Sequence, residues 1–184
     1  MTAWRTESKR DTIVPMLNRY VLLPLAAAAV LCAQTADPLS SEMKASYNGI
    51  KNNLIKMAEK MPEENYSYKP SPDIRTFGGL MGHVADANYR TCTSIAGEAK
   101  NLGASQKTSK ADLVAAMKAA FEACDPIVNG LTDATAKEMV TTPRGARSKL
   151  GMLNAMIIHD NEEYGYTAVY MRMKGVVPPS SEGR

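Results

Sequence analysis

The residues best suited to chemistry lie near the end of the chain, in His159-Asp160-Asn161-Glu162-Glu163-Tyr164-Gly165. A histidine and a carboxylate four residues apart stack on one face of a helix, so His159 and Glu163 can aim at a common point. The sequence holds one other histidine, His83, which also falls in a helical pattern. Two imidazoles and a carboxylate from two helices make a three-ligand set for a divalent cation, with positions left open. His83, His159 and Glu163 are therefore the candidate metal ligands, and Zn, Ni, Mn or Fe would each suit that donor set. The plainer reading is a hydrogen-bonded histidine at a core edge and a carboxylate paired along its own helix.

Stepped at about 100° per residue, Met152, Met156, His159, Glu163 and Tyr170 share one arc, and Leu153, Ile157, Tyr164 and Met171 the next. His159 and Glu163 thus border a buried stripe, where an unpaired carboxylate is costly and a cation relieves that cost. Asp160 falls in the apolar arc, placed to support a histidine ring from behind, and Asp86, one turn after His83, is placed for the same role. Tyr164, Tyr170 and Arg172 are candidates to line a pocket. Arg144, Arg147 and Lys149 suit either an anionic substrate or, more simply, a solvated helix start. The sequence has no Gly-rich phosphate loop, no Cys-x-x-Cys, and no Ser-His-Asp set that uses these histidines well.

Four amphipathic segments must position these side chains. The first runs from about Ser40 to Met61, with Met43, Tyr47, Ile50, Leu54 and Met57 at helical spacing, and Pro62 closes it. Residues 62–75 hold three prolines and form a connector. The second helix opens at Thr76, a good N-cap, and runs to about Lys100. Ser109-Lys-Ala-Asp112 resembles a capping box and opens a third, which ends at Asn129-Gly130. Residues 133–138 suit a short helical turn, and no strand pattern competes with the helices. The fourth helix spans Ser148 to Lys174, stopped by Gly175 and Pro178-Pro179. The fold class expected is all-α, a four-helix bundle preceded by a signal peptide. Segments 62–75 and 131–147 are long enough to cover a site at the bundle mouth.

Val21 to Gln34 is an apolar run too short to span a bilayer comfortably, preceded by Arg19 and followed by a polar break. That is the layout of a secretory leader. Residues 1–36 are read as the signal-peptide region, with translation expected to start at Met16 and cleavage near Ala33 or Ala36. Residues 37–181 are read as the bundle and 182–184 as a tail. The mature chain is expected in the periplasm or secreted, without a stable membrane anchor. Four basic and two acidic residues leave with the leader, taking the formal charge from +3 to about +1. A balanced surface without a basic run argues against nucleic-acid binding. Cys92 and Cys124 remain, as either a disulfide between helices or two buried thiols.

Two stretches carry a family likeness. One is Met61-Pro-Glu-Glu-Asn-Tyr66, Tyr68-Lys-Pro70 and Arg75-Thr-Phe77-Gly, followed by His83-Val-Ala-Asp86-Ala-Asn. The other is His159-Asp-Asn-Glu162-Glu-Tyr164-Gly, followed by Tyr170-Met-Arg172-Met-Lys-Gly175-Val-Val-Pro178-Pro179. Together they resemble the DinB/YfiT-like superfamily over essentially residues 37–181. The resemblance implies a four-helix bundle that holds a divalent metal with three histidines, one from the second helix and two, four residues apart, from the last. Characterised relatives include bacillithiol-type thiol S-transferases and a mycothiol-dependent maleylpyruvate isomerase. By position His83 and His159 match two of the ligands, whereas Glu163 stands where the family has its third histidine. A carboxylate there either keeps the site with an altered metal preference or marks a site that has been lost. Two functions are consistent with this sequence. One is an exported metal-dependent hydrolase or thiol transferase acting on a small molecule. The other is a non-catalytic binding bundle with a degenerate metal site. Dimerisation through a bundle face is compatible with both.

Overall fold

Apolar periodicity of 3.6 residues produces four long helices in the computed structural model, which describes residues 37–183. The expected leader, the Met16 start and Cys32 lie outside the described residues. Helix α1 spans Pro38–Lys60, α2 Phe77–Ile95, α3 Lys110–Asn129, the one-turn α4 Asp133–Ala136, and α5 Lys149–Met173. Thr76, Ser109 and Ser148 cap α2, α3 and α5, each side chain accepting from the backbone N–H three residues on. The N-terminus of α1 is capped from outside. The Asp133 carboxylate accepts from Ser40 N at 2.8 Å and Ser40 Oγ at 2.9 Å, while Asp37 Oδ1 accepts from Asp133 N at 2.7 Å.

The helices pack in the ring order α1–α3–α2–α5, so α1 and α2 stand on a diagonal. The chain therefore crosses one end of the bundle between them. Segment 61–76 makes that crossing in an ordered form: Phe77 N donates to Tyr68 O at 2.9 Å and Gly78 N to Tyr66 O at 2.8 Å. Two otherwise orphaned donors of the α2 N-terminus are thereby satisfied. Tyr66 and Phe77 meet edge-on with ring centroids 5.1 Å apart. Leu54, Met57, Phe77, Met81, Leu113, Met117, Phe121, Leu153 and Met171 fill the core.

Two expectations are corrected and one open alternative is resolved. Helix α2 stops at Ile95, not near Lys100, because Gly97 adopts φ +96, a left-handed conformation that ends the helix. The all-helical reading missed a two-stranded antiparallel hairpin, β1 Met139–Thr142 with β2 Gly145–Ser148. β-Branched Val140, Thr141 and Thr142 favour the strand, and Pro143-Arg144 with Gly145 at φ +107 makes the turn. The two cysteines are joined: Cys92 and Cys124 form a disulfide between α2 and α3, with Cα atoms 5.1 Å apart.

Close backbone approach explains Gly82. A Cβ there would sit 2.8 Å from the Ala104 carbonyl oxygen, so the 3₁₀ turn Ala104–Gln106 can lie directly on α2. Asp86 fixes the same turn, accepting from Ala104 N at 2.8 Å, Ser105 N at 2.8 Å and Ser105 Oγ at 2.6 Å. This corrects its expected role: Asp86 is occupied with the chain below α2 and does not support His83.

Candidate metal centre between α2 and α5

His83 projects from α2, and His159 and Glu163 from neighbouring turns of α5, across the seam where these two helices pack. The His83 and His159 Nε2 atoms are 3.1 Å apart. Glu163 Oε1 lies 3.8 Å from His83 Nε2 and 3.7 Å from His159 Nε2. One donor atom from each residue falls within 4.8 Å of the others. Two imidazole nitrogens bound about 2.0–2.1 Å from one ion are separated by roughly 3 Å, so the histidine pair matches a shared cation. The carboxylate stands a few tenths of an ångström farther out.

Chemical character also fits a cation. Glu163 is buried, and its Oε2 is enclosed without a hydrogen-bond partner. An isolated buried carboxylate oxygen is costly unless a positive charge faces it. Burial, and after it the positive charge of Arg75, pulls the His83 imidazole below its ordinary value, keeping the ring neutral and its lone pair free. The adjoining Asp160 carboxylate moves His159 the other way, against the effect of burial.

Asp160 behaves as its position in the apolar arc suggested. It is fully buried, its Oδ2 accepts from Asn88 Nδ2 at 2.9 Å, and its Oδ1 faces His159 Nδ1 at 3.8 Å. That last distance exceeds a formed hydrogen bond, so Asp160 acts on the ring through its charge. Burial raises the Asp160 carboxyl, with His159 and Asn88 opposing. The orientation favours the tautomer with its proton on Nδ1 and leaves Nε2 directed at His83 and Glu163. From sequence alone Asn88 has no assigned role. A polar residue at the centre of an apolar face was the available sign.

A cleft of about 820 Å³ opens beside Glu163. Its walls include Pro70, Pro72, Ile74 and Arg75 of the crossing segment, Leu80 of α2, and Tyr166, Val169 and Tyr170 of α5. The expectation that residues 62–75 cover the site is thus met in part, and Tyr170 lines the cleft, its hydroxyl donating to Arg75 O at 3.1 Å. Tyr164 and Arg172 do not. The Tyr164 hydroxyl accepts from Ser180 N at 2.9 Å, and Arg172 Nη2 donates to Ser181 Oγ at 2.7 Å, so both hold the C-terminal segment. The basic cluster is dispersed as well: Lys149 pairs with Glu138 at 2.6 Å and Arg147 donates to Gly151 O at 2.9 Å. Arg147 also borders a smaller cleft of about 160 Å³ on the far side of His159.

A helical bundle with two histidines and a carboxylate converging across one seam defines a class of candidate metal-centre proteins. The chain belongs to the DinB superfamily, whose family model matches residues 49–166. Solved structures agree on the fold. A DinB-like protein from Bacillus cereus is similar at 18% identity and a TM-score of 0.65, covering 74% of this chain and 93% of its own. The DinB-like protein YjoA from Bacillus subtilis is similar at 22% identity and a TM-score of 0.60, covering 73% and 92%. A conserved Enterococcus faecalis protein aligns at 12% identity and a TM-score of 0.55, covering 72% and 94%. No curated protein matches the sequence.

Proposed function

We propose that the protein is an exported metal-dependent enzyme, of hydrolase type, acting on a small molecule in the cleft beside Glu163. One observation carries the reading: His83, His159 and Glu163 bring donor atoms together, and the enclosed Glu163 Oε2 has no partner. A divalent ion bound there supplies Lewis-acid polarisation and activation of water. The chain's own residues do the rest. His83 offers a neutral ring, Asp160 and Asn88 orient His159, and Tyr170 and the crossing segment wall the cleft beside the centre. Thiol transfer uses the same centre and is the alternative reaction.

Export is supported by the Cys92–Cys124 disulfide, since such bonds persist in oxidising compartments. Among the described residues, no helix is long and apolar enough to cross a membrane. A non-catalytic binding bundle is the second reading, because 3.1 Å between imidazoles also suits a direct hydrogen bond from one ring to the other. Elemental analysis of protein purified under metal-replete conditions separates the two. The enzyme reading expects about one equivalent of a divalent metal, lost in Glu163→Ala and in His159→Ala. A wild-type protein without stoichiometric metal would refute it.

A further inference from the structure

The cleft's chemistry identifies its ligand more closely than the centre alone does. Ile74, Tyr166 and Val169 are 43%, 54% and 53% exposed, and all three line this one cleft. Pro70, Pro72 and Leu80 extend the same apolar wall. Large apolar side chains gathered around a concavity mark a binding site rather than scattered surface. A volume of about 820 Å³ is the size of a small-molecule site, not of a groove for a folded partner.

One cation interrupts the apolar wall. Arg75 lines the cleft and is exposed, and among the described residues its guanidinium has no salt bridge. Asp73 lines the same cleft without pairing with it. A guanidinium with its donors free presents a fork suited to a carboxylate, sulfonate or phosphate.

We propose that the cleft binds a small amphipathic molecule with an aryl or alkyl body and one anionic group, the body lying against Ile74, Leu80, Val169 and Tyr170 and the anion on Arg75. The catalytic meaning of this ligand rests on the metal-centre reading; its binding does not. A ligand of this class would lie beside the histidine–glutamate centre, because Glu163 forms part of the same wall.

Two fluorescent probes test the proposal on the full chain purified with its metal. 8-Anilinonaphthalene-1-sulfonate has an aryl body and an anion, and N-phenyl-1-naphthylamine has the body alone. Both should bind saturably. Arg75→Gln should weaken the sulfonate by about tenfold, the scale of one charge-assisted contact, and leave the neutral probe within about twofold. Val169→Glu, at an exposed position, should weaken both, whereas Met139→Glu, on the hairpin, should change neither. Equal effects of Arg75→Gln on the two probes, or insensitivity to Val169→Glu, would overturn the proposal. Metal content measured on the same preparations keeps the two readings apart. Failed probe binding with metal retained sinks the ligand class alone, and selective probe binding without metal sinks the enzyme alone.

Discussion

Replacing Asp160 with Asn changes almost nothing in shape and reverses the polarity facing His159. In the native protein Asn88 Nδ2 donates to Asp160 Oδ2 at 2.9 Å, and Oδ1 faces His159 Nδ1 at 3.8 Å. An asparagine that keeps the Asn88 bond must turn its amide NH2 toward Nδ1. A donor there favours the tautomer protonated on Nε2, the atom that meets His83 and Glu163. Losing such a supporting carboxylate typically weakens metal binding 10–100-fold, about 1.4–2.7 kcal/mol. The metal-free protein should respond in the opposite sense. Asp160 is fully buried with Oδ1 unpartnered, and neutralising it relieves a penalty on the order of 1–3 kcal/mol. Asp160→Asn should therefore bind metal more weakly in a chelator competition, yet unfold at equal or higher urea in EDTA. At saturating metal each tenfold loss of affinity subtracts about 1.4 kcal/mol of stability, so the gain should shrink or reverse. Unchanged metal affinity would refute the orienting role. A metal-free variant several kcal/mol less stable than wild type would show that Asp160 serves the fold instead.

Three further outcomes are expected. Reducing Cys92–Cys124, which closes a separation of 32 residues, should lower stability by about 4 kcal/mol in urea unfolding with and without reductant; coincident curves would contradict this. Burial pushes the Asp86 carboxyl upward, but hydrogen bonds from Ser105 and Ala104 outweigh it and hold the group below its ordinary 3.8. Its contribution is thus fully present above that value and lost as pH falls through and below it, so Asp86→Asn should flatten the acid limb of a stability–pH curve. Gly82→Ala should cost about 1–3 kcal/mol by thermal unfolding, since its Cβ would meet Ala104 and Ser105 backbone rather than a side chain that can yield.

The long helices were legible because their apolar stripes are regular and their caps are strong, Ser109 with Asp112 being the clearest. The hairpin was not, because four-residue strands carry too short a pattern to register against flanking helices. Likewise, the His83–His159–Glu163 cluster follows from i, i+4 spacing plus a second histidine, and the structure brings all three together. The walls of the cleft do not follow from spacing. Which tyrosine faces it depends on where residues 70–75 and the 179–181 turn come to rest, and those contacts assign Tyr170 to the cleft and Tyr164 to the tail. Asp86 shows the same limit: its distance from His83 in sequence was suggestive, but the Ala104–Gln106 turn had the stronger claim on its oxygens.

The glycines of α2 give the seam a character of its own. Gly78, Gly79 and Gly82 fall within its first two turns, each giving up roughly 0.5–1 kcal/mol of intrinsic helicity against alanine. Contacts at Gly78 from Leu113 and Tyr66, and at Gly82 from Ala104, leave little space for a better helix former. The segment that presents His83 is thus ordered by its neighbours more than by its own propensity. Behind it, Cys92 ties the helix covalently to α3; ahead, packing, the His83 contacts and the Asn88–Asp160 hydrogen bond hold it to α5 without a covalent link. The glycine-rich half of α2 is accordingly the conditional element of the bundle, the first place where loosening the α2–α5 seam would show as faster amide exchange.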